Sequence, residues 1–466
     1  TGDSMDIKIA GMNVDLDQLG PVGEGLTPET ISAAYARISR SPKSIGELRV
    51  KAAEDVAKAR RSNESIVFDM GHSSIAEHAV FNYDICGISR LAVEELQAHR
   101  LGSYTEKSQR YVKLGKDYVV PKELHVSLVE DFHALMDGAS ENYQKLVAFL
   151  ETHHAPKTGS ATRREKQQVH LTSIEDARYL MPLATTTQLG MTLNARSVEN
   201  IARKMSASRL DEIRELGLQL ALQAREKAPS LIRYINPTSV EEWKRRLPDV
   251  ELEASQQSNP VDLIELSPDG DMAIAAAFLV ERGGGSYLEA ESYLEENPGA
   301  VEGIFQELFD LTGVHDSMPR GFERVTLTFE ITLSASGFGQ LKRHRMATMI
   351  PAPYDPALGH MVPPSIVGSE GLALFDESMT ASRELYYRIE EEAGSEVADY
   401  VLTNAHLRKV LFQCNFRELI HISRLRLDHH AQWEIRGLTE MMCDQARHEL
   451  PLAGRFLAGK DSFVGS

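Results

Sequence analysis

Two segments of this chain repeat each other at a distance, and that repetition limits its possible folds more than any other feature. AHRLGSYTEKSQRY (98–111) and RHRMATMIPAPYDP (343–356) each place a His-Arg pair beside a polar, turn-rich stretch. Each follows a strand-like run and a short helical run. His99 and His344 lie 245 positions apart. Further on, ARYLMPLATTTQLGMTLNARSVENIARKM (177–205) matches ADYVLTNAHLRKVLFQCNFRELIHISRLR (398–426), aligning Asn194 and Arg196 with Asn415 and Arg417 at an offset of 221. The second copy is therefore 24 residues shorter between these landmarks. Two domain-sized units are a divergent internal duplication, not a solenoid.

The local pattern says what each unit contains. Apolar and polar residues alternate along VFNYDICGI (80–88). They do so more cleanly along RVTLTFEITLS (324–334), with Val325, Leu327, Phe329, Ile331 and Leu333 on one face and Thr326, Thr328, Glu330 and Thr332 on the other. Ser89 is placed to cap a helix SRLAVEELQAHR, and GFGQLKRHR is the shorter helical counterpart. Residues 30–62 carry helical periodicity, and the matched segments 177–205 and 398–426 read as long helices. The stretch from Asn236 to Asp262, rich in Pro, Ser, Gln and charge, reads as a linker. The expectation is an α/β (α+β) chain of two homologous domains, 5–240 and 258–466, each a mostly antiparallel sheet packed with long helices.

Charge and composition narrow the function. With 50 Lys and Arg against 68 Asp and Glu, the net charge of −18 opposes a general grip on a nucleic acid backbone. Two or three clustered arginines would still hold one phosphate. No apolar run nears the ~20 residues of a membrane helix. Three cysteines (Cys86 on a strand, Cys414 and Cys443 in helical stretches) give no disulfide framework, so a cytoplasmic setting is expected. Between His99 and Tyr111 the chain offers Arg100, Ser103, Glu106, Ser108, Gln109 and Arg110 with almost nothing apolar. Arginines suit phosphate, while hydroxyls and a carboxylate suit a base or sugar edge. A solvated helix end is the other reading of the same residues. His72, Glu77 and His78 match no standard zinc spacing, nor does His429–His430, so no metal is expected.

The string HRxxSxxExSxRY, preceded by GHSSIAEH and followed by ARYLMPL and NARS, resembles the RHRxxSxNExSxR signature of flavin-dependent thymidylate synthases. The second half is similar to that family through RHRMAT and RLRLDHHAQWEI (424–435). The resemblance implies that dUMP receives a one-carbon unit at C5 from methylenetetrahydrofolate to give dTMP, with FAD reduced by NADPH as hydride source. It implies no cysteine nucleophile and sites built from more than one subunit. For a duplicated chain it implies a homodimer forming a pseudo-tetramer. Two alternatives remain: a flavoenzyme modifying C5 of another pyrimidine nucleotide, and a non-catalytic flavin- or nucleotide-binding homologue.

Carried over position by position, the resemblance implies substrate contacts at Glu106, Ser108, Gln109, Arg110 and Arg178 in the first repeat. In the second it implies Gln340, Arg343 and Arg426, with Arg426 and Ser108 as catalytic residues. Flavin contacts fall at Ser74, His99, Arg100, Glu106, Asn194, Arg196 and Asn200. Their counterparts are Ser317, Arg343, His344, Arg345, Asn415, Arg417 and His430, with His421 where the family has a second Asn. The departures are as informative. The first repeat has Thr105 for Asn, Ala98 for the first Arg, Glu95 for a Gln and Met205 for the Arg that faces uracil. Its SRLDEI is a decayed HAQWEI. The second repeat has Pro351, Pro353 and Asp355 for Glu, Ser and Arg, and Asp399 for the phosphate-side arginine. Aspartates repel phosphate and prolines remove donors. Each repeat has lost what the other keeps, so the expected site is composite, joining the loop of the first to the arginine set of the second.

Overall fold

A computed structural model describes residues 5–18, 26–155, 162–244 and 259–463. Contacts divide the chain into two units, 1–251 with 362–404, and 252–361 with 405–466. This division cuts through the second repeat, so repeat and packing unit are different things in this protein. Of the expected linker, residues 245–258 lie outside the described residues.

Each unit holds one four-stranded antiparallel sheet. In the first, β1 (Asp6–Met12), β2 (Val80–Ser89), β3 (Ser103–Glu106) and β4 (Thr186–Asn194) lie in the order β1-β2-β4-β3. In the second, β5 (Val261–Leu266), β6 (Thr326–Ser334), β7 (Thr348–Pro351) and β8 (Leu407–Asn415) repeat that order as β5-β6-β8-β7. The duplication seen in the sequence is thus a duplication of topology. The alternating segments became β2 and β6, and Leu327, Phe329, Ile331 and Leu333 of β6 are fully buried. β2 is one residue longer than β6. Its extra residue, Gly87, sits in a bulge between Cys86 and Ile88 at φ 71°, a conformation that glycine takes without a Cβ clash.

The matched segments 177–205 and 398–426 are not helical throughout. Their middles are the central strands β4 and β8, so Cys414 lies on a strand rather than in a helix. Leu189, Met191 and Leu193 face the core in alternation, and partners on β2 more than a hundred residues away override the helix preference of Gln, Leu and Met. The helices begin where Asn takes over. Asn194 accepts from the Ser197 N–H to start α4 (Ala195–Met205), taking α1 as Arg90–Gln97, α2 as Val129–His153 and α3 as Arg163–Ala177. α5 (Asp211–Lys227) follows. In the second repeat the series is α6 (Ala335–Leu341), α7 (Gly371–Ala393), α8 (Ser395–Ala398), α9 (Phe416–Arg426) and α10 (Trp433–Glu449), with Asn415 capping α9 through the Glu418 N–H. Eleven of the 24 residues are accounted for here, because α3 has 15 residues and its counterpart α8 has 4.

One device fixes the short helices that carry the site. Ser89 and Ser334 cap α1 and α6 through the N–H groups of Ala92 and Gly337. Each cap is itself gripped by a carboxylate at the start of a later helix. Glu212 accepts from Ser89 N and Oγ at 2.6 and 2.7 Å, and Glu434 accepts from Ser334 N and Oγ at 2.8 and 2.6 Å. Here the decay of HAQWEI to SRLDEI needs correcting, since its glutamate survives in place and in role.

Within the first unit, equivalent pieces of the two repeats meet. α2 and α7 lie side by side, with Asn142 donating to Ser378 at 3.0 Å and Arg388 paired with Asp131, around a cleft of about 330 Å³. Pro182 and Thr403 form an antiparallel bridge. Leu183 N–H donates to Leu402 O at 2.7 Å, and Asn404 N–H to Met181 O at 2.9 Å. Pro182 and Thr403 are the same position in the two repeats, 221 apart, and the same offset takes Leu183 to Asn404 and Met181 to Leu402, exchanging the two hydrogen bonds, so a local two-fold axis runs through the bridge.

Candidate functional site

In the second unit a chain of polar groups forms where α6 and α9 end. Arg426, the last residue of α9, donates from Nε to His344 Nε2 at 2.9 Å. Its Nη1 reaches Gln340 Oε1 at 3.2 Å, and its Nη2 reaches the Gln340 carbonyl at 3.0 Å. Behind the imidazole, His344 Nδ1 faces Glu418 at 3.6 Å. Gln340, His344 and Glu418 are all buried. Burial holds His344 below its usual pKa; Glu418 opposes this, while Arg426 and His421 add to it. The ring is therefore neutral. Because an arginine Nε always carries its hydrogen, His344 Nε2 is the acceptor and the ring proton sits on Nδ1. Arg343 leaves the same turn and donates to the Gly339 carbonyl at 3.3 Å, and Arg345 lies at the surface.

The equivalent place in the first unit lacks the arginine. Met205 occupies the arginine position and is fully buried, Glu95 and Ala98 are exposed, and His99 keeps its place with Nε2 buried and without a partner. Burial and Lys204 push its pKa down to about 4. Met205 has no N–H to offer a histidine nitrogen, whereas Arg426 does in the second unit.

The nucleotide-loop residues are gathered in the first unit. Arg110 is ion-paired with Glu175 through Nε, and Arg178 donates from Nε to the Glu175 carbonyl at 3.1 Å, so both guanidinium groups meet at one residue of α3. Ser108 Oγ accepts from the Arg110 N–H at 3.2 Å. Asn404 Nδ2 donates to Gln109 Oε1 at 3.1 Å and to the Arg178 carbonyl at 2.9 Å. Gln109 is 5% exposed, and its Nε2 is buried with no acceptor. Glu106 points elsewhere, pairing with Arg90 and accepting from Gln97 at 3.4 Å, which anchors the end of β3 to α1. In the second unit the same stretch is different chemistry: Pro351 ends β7, and Asp355 caps a short 3-10 turn.

Residues 24–230 and 262–452 match the model of the thymidylate synthase complementing protein family. The chain belongs to the flavin-dependent thymidylate synthase family. Among its relatives, a flavin-dependent thymidylate synthase of Clostridium tetani is 30% identical over 238 residues, which cover 50% of this chain and 90% of that protein. A UPF0159 protein of Thermoplasma acidophilum is 24% identical over 442 residues, covering 84% of this chain and 86% of that one. A solved UMP/dUMP methylase of Streptomyces cacaoi aligns at 17% identity and a TM-score of 0.36, covering 49% of this chain and 93% of that chain.

The positions that match flavin contacts of the family divide into two groups. Ser317, Asn415, Arg417 and His421 line one cleft of about 290 Å³ in the second unit, together with Glu323 and Glu418. Arg417 binds Ser317 Oγ at 3.0 Å, Glu323 at 2.9 Å and the Met318 carbonyl at 2.7 Å. In the first unit Ser74 and Arg100 are exposed, Arg196 pairs with Glu77, and Asn200 accepts from Arg203 at 2.7 Å. His430 is exposed, with Asp428 and His429 beside it, their potential ligand atoms within 4.8 Å of one another; His429 is ion-paired with Asp461. Sequence reasoning missed Glu175, Glu418, Arg90 and Asn404. Only Glu175, three residues before Arg178 on the same helix face, left a spacing signal.

Proposed function

We propose that this protein methylates C5 of a uracil nucleotide, converting dUMP to dTMP with methylenetetrahydrofolate as carbon donor and NADPH as reductant. The observation that carries this reading is the opposite fate of the two repeats. The second keeps Arg426 bonded to Gln340 and His344, where the first has Met205 and an orphaned His99. The first keeps Ser108, Arg110 and Arg178 at one place, where the second has Pro353, Asp355 and Asp399. One nucleotide served by both surviving sets accounts for which residues were kept.

The roles follow from the chemistry of each group. Arg110, Arg178 and Ser108 suit a phosphate, which would draw Arg110 from Glu175, and the unpartnered Gln109 Nε2 supplies a further donor beside them. Arg426 suits the uracil edge. Its guanidinium plane is held by three bonds, so it can stabilise negative charge on the ring while the C5 bond forms, without reorganising. The cleft around Ser317, Arg417 and His421 supplies hydroxyl, guanidinium and imidazole groups that fit the ribose or phosphate part of FAD. FAD held there would supply the hydride. We further propose a dimer of the chain as the working assembly.

Tritium release from C5-labelled dUMP, with NADPH and methylenetetrahydrofolate, tests this reading. Release dependent on both co-substrates is the expected result. Tight dUMP binding with bound flavin but no release would shift the reading to another acceptor or donor. Binding of neither would overturn it.

A further inference from the structure

We propose that Glu418 is a positioning residue, whose carboxylate holds the His344 imidazole with Nδ1 protonated so that Nε2 stays open to Arg426. The proposal rests on reading the Arg426 cluster as the nucleotide's base-side contact, and it concerns a position where the NARS string of the first repeat has Ser197.

Glu418 occupies the third position of α9, after the Asn415 cap, where a glutamate usually folds back onto its own helix end. It does so elsewhere in this protein. Glu47, Glu165 and Glu289 hold the same position behind Ser44, Thr162 and Ser286, and each accepts from its cap N–H at 2.8, 2.7 and 2.8 Å. All three are at the surface. Glu418 is 8% exposed, and no reciprocal bond of this kind closes at Asn415. Its carboxylate is turned to His344 Nδ1 instead. A carboxylate there favours the hydrogen on the near nitrogen, and that leaves the far nitrogen as the acceptor that Arg426 Nε requires.

The first repeat provides the internal comparison. Ser197 stands in the place of Glu418, and its hydroxyl donates to the Leu101 carbonyl at 3.2 Å. Met205 stands in the place of Arg426. Where the arginine is gone the carboxylate is gone as well, although the histidine between them remains. A glutamate serving only as a helix-end charge would have no reason to disappear with an arginine two turns away.

The test uses the full chain with Glu418→Ser, the residue of the first repeat, and Glu418→Gln, which keeps an acceptor for Nδ1–H. Long-range ¹H–¹⁵N spectra report the His344 tautomer, assigned by its loss in His344→Gln, and calorimetry with dUMP reports affinity. In the parent protein His344 should be a single Nδ1–H tautomer. Glu418→Ser should give a mixed or reversed tautomer and weaken dUMP by about tenfold or more, as loss of an outer-shell orienting group does. Glu418→Gln should restore both. A folded Glu418→Ser protein with an unchanged tautomer would overturn the proposal. An altered tautomer in a parent protein that binds no dUMP would instead sink the nucleotide reading and leave the Glu418–His344 relation standing.

Discussion

Arg426 is the residue on which most of the second unit's site turns, because three buried or half-buried acceptors depend on it. Charge-assisted bonds contribute roughly 1.5–3 kcal/mol each, and a buried polar atom left without a partner costs about 1–3 kcal/mol. Arg426→Met would copy the first repeat into the second. Denaturant titration should show a loss of about 2–4 kcal/mol, and calorimetry should detect no dUMP binding. The reverse change, Met205→Arg, should not create a second site, since Glu95 and Ala98 remain where Gln340 and Arg343 would be needed. The pH dependence belongs to the same residues. His344 has a folded pKa below the ordinary 6.5, so as the pH falls past 6.5 the unfolded chain takes up a proton first and the folded state loses stability. Above 6.5 both states are neutral and the effect is flat. A protonated ring would also set N–H against N–H at Arg426. dUMP affinity should therefore fall only once the pH drops below the lowered pKa of the folded ring, at a more acid pH than the onset of the stability loss; a rise on acidification would contradict the assigned tautomer.

At the level of elements, the serine caps and the carboxylates that grip them decide whether α1 and α6 point their ends correctly. Ser334→Ala removes the cap of α6 and one of the two bonds to Glu434, and a cap alone is worth about 0.5–2 kcal/mol. Glu434→Leu should be worse, because it leaves the buried Ser334 groups without their acceptor. Both variants should lose dUMP affinity along with melting temperature, whereas Ser89→Ala should lower the melting temperature with dUMP affinity kept. These helices were legible early. Alternation gave β2 and β6, and Ser89 announced α1. The strands β4 and β8 were not, because Gln and Leu in both, with Met in β4 and Arg and Lys in β8, favour helix locally and the pairing that overrules them comes from distant strands. At the site, the arginines and the complementary losses could be read from the resemblance. Glu175, Glu418 and the Asn404–Gln109 contact could not, since each depends on which side chains the fold brings face to face. The motif AQWEI was legible as a string but not as a mechanism: Gln432 caps α10 and Glu434 reaches Ser334.

For the whole molecule, the question is whether the two surviving residue sets act on one ligand. Arg110→Ala and Arg426→Ala should each abolish dUMP binding, and the double variant should be no weaker than the worse single one. Saturation should occur at one nucleotide per chain, and Asp355→Ala in the vestigial loop should change nothing. Two nucleotides per chain, or equal losses from Asp355→Ala, would argue for two independent sites. The division of the chain carries its own expectation. Residues 362–404 pack in the first unit, where the Tyr400 hydroxyl binds Glu212 at 2.5 Å, so a fragment 5–240 lacks part of the unit it belongs to. Alone it should show no cooperative melting transition, and co-expression with 258–466 should restore one. The antiparallel bridge between Pro182 and Thr403 has a further consequence. A two-fold contact between identical chains must satisfy both halves with a single sequence, because every change appears twice. Once both halves are on one polypeptide, each can mutate alone, and the tether keeps its partner at high effective concentration while it does so. The proline facing a threonine is that freedom already in use, and it is the condition under which one copy could keep the phosphate arginines while the other kept Arg426.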